Sequence, residues 1–331
     1  MKAAIFGAGA MGTVLGAFIT AAGKEVDLIS RNRTHISSLK ERGAQISGGV
    51  NFCVKVNALT PEEVSERYSV IFLMTKQSGE SLDFLNDFLE EEGVVCTLQN
   101  GLPERAVAEA VGEDRCLGCS VSWGATFTGS GKCELTSKRN KMTFALGSIK
   151  GGAAKTQAVK EYLSCAGKVT VTENSEGARW AKLAINCAFS SLSAICGMTF
   201  GEVGKNKITR RVALEILNEV FAVAEKSGVR LEKIQGHRID KLFSYKSAFK
   251  KRVALVLLPL AMHSHKKLVS GMYFDLKAGK PCEIDFMNGA VCSAAEKVGA
   301  HSPLNAELCK IAHEIEQGKR KICFENVFGL R

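Results

Sequence analysis

The sequence predicts an α/β protein with an N-terminal doubly wound parallel sheet and a mostly α-helical C-terminal half. Three observations carry this prediction. Strand-like apolar runs alternate with helix-like segments through the first half of the chain, the signature of a parallel sheet covered by helices. A glycine-rich turn joins the first such run to the first helix. Beyond Val171 strand signals nearly vanish and long helical patterns replace them. The chain therefore divides into residues 1–171, a Rossmann-type domain, and residues 172–331, a helical domain.

The apolar runs are Ala3 to Phe6, Val26 to Ser30, Val70 to Met74 and Val94 to Leu98. Each leads through a turn into a helical pattern: Met11 to Ala22, Thr34 to Glu41, Ser78 to Glu90 and Leu102 to Val111. Between Cys116 and Leu146 the runs are short and rich in Thr, Ser and Gly, which predicts antiparallel strands extending the sheet edge. The second half shows helical patterns at Ser175 to Cys196, Ile208 to Ser227 and Glu283 to Val298. Val253 to Met262 is too short to span a membrane and contains Pro259, so it reads as a buried helix.

Composition narrows the function classes. The formal charge is +10. Basic residues are nevertheless spread along the chain with few interleaved aromatics, so nucleic acid is not the expected partner. The densest stretch, Lys246 to Arg252 with His263 to Lys267 nearby, reads as a solvated face or a field that attracts anionic substrate and cofactor. The 12 cysteines contain one close pair, Cys116 and Cys119, with no second pair or nearby histidines to complete a zinc site. Free, mostly buried thiols and no metal are expected. The apolar run after Lys2 is broken by Gly7, Gly9 and Gly12, which argues against a signal peptide and for a cytoplasmic protein with no membrane partner.

Gly7-Ala8-Gly9-Ala10-Met11-Gly12 fits G-x-G-x-x-G, and it lies after a strand and at the head of a helix, where the motif has meaning. Gly7 allows the tight turn, Gly9 lets the backbone approach a pyrophosphate, and Gly12 allows close helix packing. The phosphates would meet N–H groups at the helix N-terminus. At the end of the second strand, an acid would bind the ribose hydroxyls of NAD and repel the extra phosphate of NADP. Here that end reads Ile29-Ser30-Arg31-Asn32-Arg33. Asp27 falls roughly 10 Å short of it at about 3.3 Å per residue. Arg31 is better placed, and its guanidinium suits a 2′-phosphate, so NADP is the expected cofactor. Arg33 reads equally well as plain surface.

The helix beginning near Trp180 is apolar almost all round apart from Lys182, Asn186 and Ser190, spaced i, i+4, i+8. That spacing predicts one polar line, with Leu183, Ile185, Cys187 and Phe189 buried on the other faces. A lysine there should line a cleft, because burying an unpaired ammonium costs several kcal/mol. Alone, Lys182 reads as a lysine snorkelling to a domain edge; the aligned Asn186 and Ser190 reverse that reading in favour of a site. Glu283 opens another apolar helical run, and spacing alone leaves it either functional or a first-turn acid favoured by the helix dipole.

These residues together resemble the ketopantoate reductase family over nearly the whole chain. The resemblance rests on the Gly7 to Gly12 turn, Thr75-Lys76, Gln99-Asn100-Gly101, Lys182-Leu183-Ala184-Ile185-Asn186, Glu283-Ile284-Asp285-Phe286-Met287-Asn288-Gly289 and Pro303-Leu304-Asn305. It implies NADPH-dependent reduction of 2-dehydropantoate to (R)-pantoate, on the route to pantothenate and coenzyme A. It further implies that Lys182 is the general acid, that Glu283 binds a substrate hydroxyl, and that Asn100 and Asn186 fix the substrate. Lys76 would contact the cofactor, with Asn100 beside it.

Two positions depart from the family pattern. Ser190 stands where the family usually has Asn, and Gly271 stands where it usually has Ser. Both belong to the family's substrate pocket, so another branched 2-oxo acid is an alternative substrate. A non-catalytic NADPH-sensing protein is a further alternative, which the paired Lys182 and Glu283 argue against. The longer segment from Gly204 to Ser270 leaves room for a reshaped pocket or for a homodimer interface.

Overall fold

Alternation of side chains along β1 (Ala3–Phe6) organises the first unit: Ala3 and Ile5 enter the core on one face of a sheet, Ala4 and Phe6 the core on the other. A strand apolar at every position needs cover on both faces, which parallel sheets receive from their crossover helices. The structure, a computed structural model, describes residues 2–150, 152–234 and 236–330, with Ser264 in its backbone alone. One unit runs to Ser175 and the other begins at Glu176.

In the first unit α1 (Ala10–Ala21) leads to β2 (Val26–Ile29), α2 (Arg33–Arg42), and three short strands, β3 (Ala44–Gly48), β4 (Phe52–Val54) and β5 (Asn57–Leu59). Then come β6 (Tyr68–Leu73), the single turn α3 (Leu85–Phe88), β7 (Leu89–Thr97), α4 (Glu104–Val111) and β8 (Cys116–Val121). The unit closes with β9 (Ala125–Gly129), β10 (Lys132–Leu135), β11 (Thr143–Ser148), α5 (Ala153–Ser164) and β12 (Lys168–Val171).

Eight strands form the main sheet in the order β12-β11-β8-β7-β6-β1-β2-β5, parallel except where β11 meets β8. The chain moves one way from β1 to β2 and β5, then returns to β6 on the other side of β1, making a switch point beside β1. A second sheet, β4-β3-β10-β9, packs over α1, with Phe18 and Phe52 ring centroids 5.2 Å apart.

Two expectations need correction here. Of the strands predicted between Cys116 and Leu146 to extend the sheet edge, β8 and β11 do so, but β9 and β10 join β3 and β4 in the second sheet. The helix expected over Ser78 to Glu90 is confined to α3, because Leu89 begins a strand that pairs with Tyr68. The helix-like spacing of Leu82, Leu85 and Phe88 is accounted for by packing against the underside of the sheet. Cys116 and Cys119 point to opposite faces of β8, each into a different core, which accounts for their spacing without any ligand.

The second unit is helical. α6 (Ser175–Ile185) passes through a π-helical segment, Asn186–Ser190, into α7 (Ser191–Cys196). There follow α8 (Phe200–Lys205), the long α9 (Lys207–Lys226), α10 (Ile239–Phe243), α11 (Ala248–Ala261), α12 (Gly271–Lys277), α13 (Ile284–Lys297) and α14 (Pro303–Glu316). The π segment packs on α9, and α13 and α14 form an antiparallel pair. The helix expected over Val253 to Met262 exists as α11, but only one side of it is buried, through Ala254 and Leu258. No helix among the described residues is long and apolar enough to cross a membrane.

Candidate active site

In the first unit the sequence motifs gather at the carboxyl ends of four adjacent strands, β7, β6, β1 and β2, where open α/β sheets bind ligands. The glycine turn follows β1. The N–H groups of Gly7 and Ala8 both donate to the Ile29 carbonyl at the end of β2, at 3.0 and 2.9 Å, which seats the turn beside Ser30 and Arg31. Gly7 has φ +103°, and a Cβ there would lie 2.4 Å from the Thr75 nitrogen after β6. The same atom added at Gly9 would meet nothing within 4 Å.

The two glycines therefore do different work. Gly7 lets the turn press against the neighbouring strand end, whereas Gly9 borders an opening. No side chain caps the N-terminus of α1 at Gly9, and no acid lies in its first turn. This is a cradle into which a pyrophosphate fits, facing N–H groups at the positive end of a twelve-residue helix.

The neighbouring strand ends are tied together. The Met74 N–H donates to the Phe6 carbonyl (2.7 Å) and the Leu98 N–H to the Leu73 carbonyl (3.0 Å). The Gln99 side chain donates to Thr75 Oγ1 (3.3 Å), and the Gln77 side chain donates to the Asn100 carbonyl (2.5 Å). Exposed Lys76 and half-buried Asn100 thus stand on adjacent loops next to the glycine turn. Arg31 is exposed, with its guanidinium 4.0 Å from Glu80. Asp27 is buried and committed elsewhere: it accepts from Tyr68 Oη (2.8 Å) and Asn57 Nδ2 (2.7 Å) and pairs with Lys2 (3.0 Å).

In the second unit Lys182 and Asn186 are half-buried on consecutive turns; Leu183, Cys187 and Phe189 are buried as expected, whereas Ile185, also expected to be buried, is only half-buried. The single polar line expected from regular spacing does not extend to Ser190. The Ser191 N–H bonds back to the Asn186 carbonyl, five residues away, and that wider turn carries Ser190 into the protein at 8% exposure. π-turns inside α-helices occur frequently at functional sites.

A buried amide holds this turn. Asn288 Nδ2 donates to the Cys187 carbonyl (3.2 Å), and its Oδ1 accepts from the Ser191 hydroxyl (2.5 Å). The same amide nitrogen donates to Asn305 Oδ1 (2.9 Å), and Asn305 Nδ2 donates to Glu219 Oε2 (2.8 Å). Glu219, from α9, also accepts the N–H groups of Leu304 (2.9 Å) and Asn305 (3.1 Å), capping α14 from outside it. Burial pushes its carboxyl above the ordinary carboxylate range, and these hydrogen bonds oppose that shift. Glu283 is half-buried immediately before the first turn of α13, the helix that carries Asn288.

Asn288, Asn305, Ser191 and Glu219 were not singled out as functional from the sequence. Asn288 and Asn305 lie inside the quoted motifs, and their signal was an amide in step with the apolar stripe of its helix, Ile284, Met287 and Val291 on α13 and Leu308, Ile311 and Ala312 on α14. The departure at Gly271 also has a local setting. Ser270, the residue before it, is buried and caps α12 by accepting from the Met272 N–H (3.2 Å), so its hydroxyl is committed to the backbone.

A Rossmann-type nucleotide cradle followed by a helical unit with an aligned lysine and amide is the architecture of a dinucleotide-dependent oxidoreductase. Family models described as ketopantoate reductase PanE/ApbA and its C-terminal part match residues 3–149 and 174–316. The chain belongs to the ketopantoate reductase family and is an oxidoreductase acting on CH–OH groups. It is 29% identical over 311 residues to a 2-dehydropantoate 2-reductase of Pyrococcus horikoshii, covering 92% of this chain and 94% of that one. Among solved structures it is similar to a PanE/ApbA family ketopantoate reductase from Ralstonia eutropha JMP134 (TM-score 0.79, 25% identity, covering 96% and 99% of the two chains). It also shares its fold with a D-mandelate dehydrogenase solved with NADH and anilino(oxo)acetate (TM-score 0.80, 24% identity, 96% and 99% covered).

Proposed function

We propose that this protein reduces the ketone of 2-dehydropantoate to give (R)-pantoate, with NADPH as reductant and Lys182 as general acid, in the cytoplasm. The carrying observation is the Asn288 amide, which joins the turn beside Asn186 to the helix that Glu283 precedes. Two chemically different groups, an ammonium and a carboxylate, are thereby held on elements that cannot drift apart independently.

The nicotinamide supplies the hydride. The remaining work falls to the chain's own residues. As negative charge grows on the ketone oxygen, the Lys182 ammonium stabilises it and delivers the proton. Glu283 accepts a hydrogen bond from a substrate hydroxyl, and Asn186 and Asn100 orient the substrate. Gly7 to Gly12 and the N-terminus of α1 receive the pyrophosphate, with Lys76 adding charge. Arg31 pairs with the 2′-phosphate, which favours NADPH over NADH.

A second reading, reduction of another branched 2-oxo acid, is favoured by Ser190 and Gly271, which replace the family's usual pocket side chains. NADPH oxidation followed by absorbance, with 2-dehydropantoate against a panel of 2-oxo acids, separates the two. Lys182→Ala should lower kcat by about 10²- to 10⁴-fold on the true substrate while NADPH still binds. Turnover of another 2-oxo acid alone moves the assignment to the second reading. NADPH binding without turnover of any panel member makes the protein a sensor.

A further inference from the structure

Helices α13 and α14 meet along one face of each. Asp285 Oδ1 pairs with His313 Nε2 (3.0 Å), and Asn288 Nδ2 donates to Asn305 Oδ1 (2.9 Å). Cys292 follows Asn288 by one turn on the face of α13 that these contacts define, and Cys309 lies one turn from both Asn305 and His313 on the matching face of α14. The two thiols touch: Cys309 donates a hydrogen bond to the Cys292 sulfur, and so does the buried Ser302 hydroxyl. We propose that Cys292 and Cys309 are a reversible dithiol–disulfide site, oxidised by a low-molecular-weight disulfide and reduced by a small thiol.

The surroundings single out this pair among the 12 cysteines. Both residues are half-buried, so solvent reaches them. The two hydrogen bonds hold the Cys292 thiol below the ordinary range, against burial and the nearby Glu219 and Glu296 carboxylates, while Cys309, the donor, is pushed up. The thiolate is the attacking species in thiol–disulfide exchange, and partly exposed cysteines with a lowered pKa are where that chemistry concentrates. Cys187, close by on the π-turn, is fully buried and its thiol is pushed well up, which makes it an inert neighbour. Cys116 and Cys119 point to opposite faces of β8 and cannot join.

The exchange proceeds in two steps. The Cys292 thiolate attacks one sulfur of the small disulfide and expels its other half as a thiolate, leaving a mixed disulfide on Cys292. Cys309 gives its proton to that thiolate, attacks the Cys292 sulfur and expels the second half, which takes from water the proton Cys292 had released. The two cysteines lose two electrons, and the small disulfide becomes two thiols.

The new bond draws the sulfurs from contact to about 2.05 Å, so α13 and α14 must close on each other. Asn288 and Asn305 ride on those helices one turn away, and Asn288 holds the π-turn that carries Asn186. Oxidation therefore shifts Asn186 through the amides and leaves the nucleotide cradle, in the other unit, as it was. This effect on turnover rests on the reductase reading proposed above; the bond does not.

The test treats the reduced full chain with glutathione disulfide, blocks the remaining thiols, and maps peptides by mass before and after dithiothreitol. The expected product is a Cys292–Cys309 cross-link, lighter by two hydrogens and lost on reduction. Cys309→Ser should stop at a glutathione adduct on Cys292, whereas Cys292→Ser should leave Cys309 unmodified. Oxidation should lower the wild-type kcat by about tenfold or more, since a 1 Å misplacement can cost about 10²-fold. The loss should reverse with dithiothreitol and be missing in Cys292→Ser, with NADPH affinity unchanged throughout. No cross-link, or one between other cysteines in its place, overturns the site. A cross-linked protein with unchanged kcat overturns its coupling to Asn186. If no 2-oxo acid is turned over, the cross-link map still decides the site, and amide hydrogen exchange at 186–191, expected to change on oxidation, decides the coupling.

Discussion

At the residue scale, Gly7 and Gly9 occupy the same motif and fail in opposite ways. Gly7→Ala places a Cβ 2.4 Å from the Thr75 nitrogen on a backbone of positive φ, so loss of folded protein is expected, read as a lower thermal midpoint and yield. Gly9→Ala meets no atom within 4 Å at φ −82°, so the fold should persist. NADPH affinity should nevertheless fall at least tenfold, about 1.4 kcal/mol, in a fluorescence titration, because the new methyl stands in the opening. The motif was legible in the sequence, including what each glycine is for. The fate of Asp27 was legible only in part. Its distance from the strand end follows from the rise per residue, but Tyr68, Asn57 and Lys2 reach it from elsewhere in the fold.

At the element scale, the helix running from α6 into α7 shows where periodicity stops being informative. Lys182 and Asn186 follow from regular 3.6-residue spacing, and the buried positions Leu183, Cys187 and Phe189 follow with them. A π-turn has no compositional mark of its own, so the displacement of Ser190 could not be read. Its stabilising partner lies a hundred residues away, on α13. Asn288→Ala should leave the Cys187 carbonyl and Asn305 Oδ1 without that donor in a buried setting. A loss of about 2 to 6 kcal/mol is expected from equilibrium unfolding, at roughly 1–3 kcal/mol for each of the two unsatisfied groups. If the amide also positions the site, kcat should fall in the folded variant while NADPH affinity, set in the other unit, holds. The α11 reading erred for a related reason: an apolar run states that a surface avoids water, not which surface covers it.

At the scale of the whole molecule, the order of parallel strands and then helices was plain from the alternation of patterns, whereas the second sheet was not. Its strands are short, and β3 pairs with β10, a partner far along the chain. One buried histidine joins that sheet to the helices beneath the nucleotide cradle. His35 Nδ1 accepts from the Gly131 N–H (3.0 Å), so Nε2 carries the proton and donates to Thr13 Oγ1 on α1 (2.9 Å). Burial holds its pKa below the usual 6.5. The unfolded chain therefore takes up a proton before the folded one does as the pH drops below 6.5. Stability should be fully present above that value and decline as the pH falls toward the folded-state pKa. Thermal midpoints measured from pH 7.5 to 5 should show this loss, and His35→Gln should reduce it, leaving the share of His265, whose pKa burial also lowers.

The second sheet also bears on how the chain matures during synthesis. Its two hairpins, β3-β4 and β9-β10, are joined edge to edge by the parallel pairing of β3 with β10. A nascent chain that has already made α1 and the first hairpin still exposes the open edge of β3, and must hold it until Leu135 has left the ribosome. At about 5–20 residues per second that interval lasts several seconds. A β3-β4 hairpin formed within that interval would carry an unpaired strand edge, the kind of surface that folded proteins keep covered.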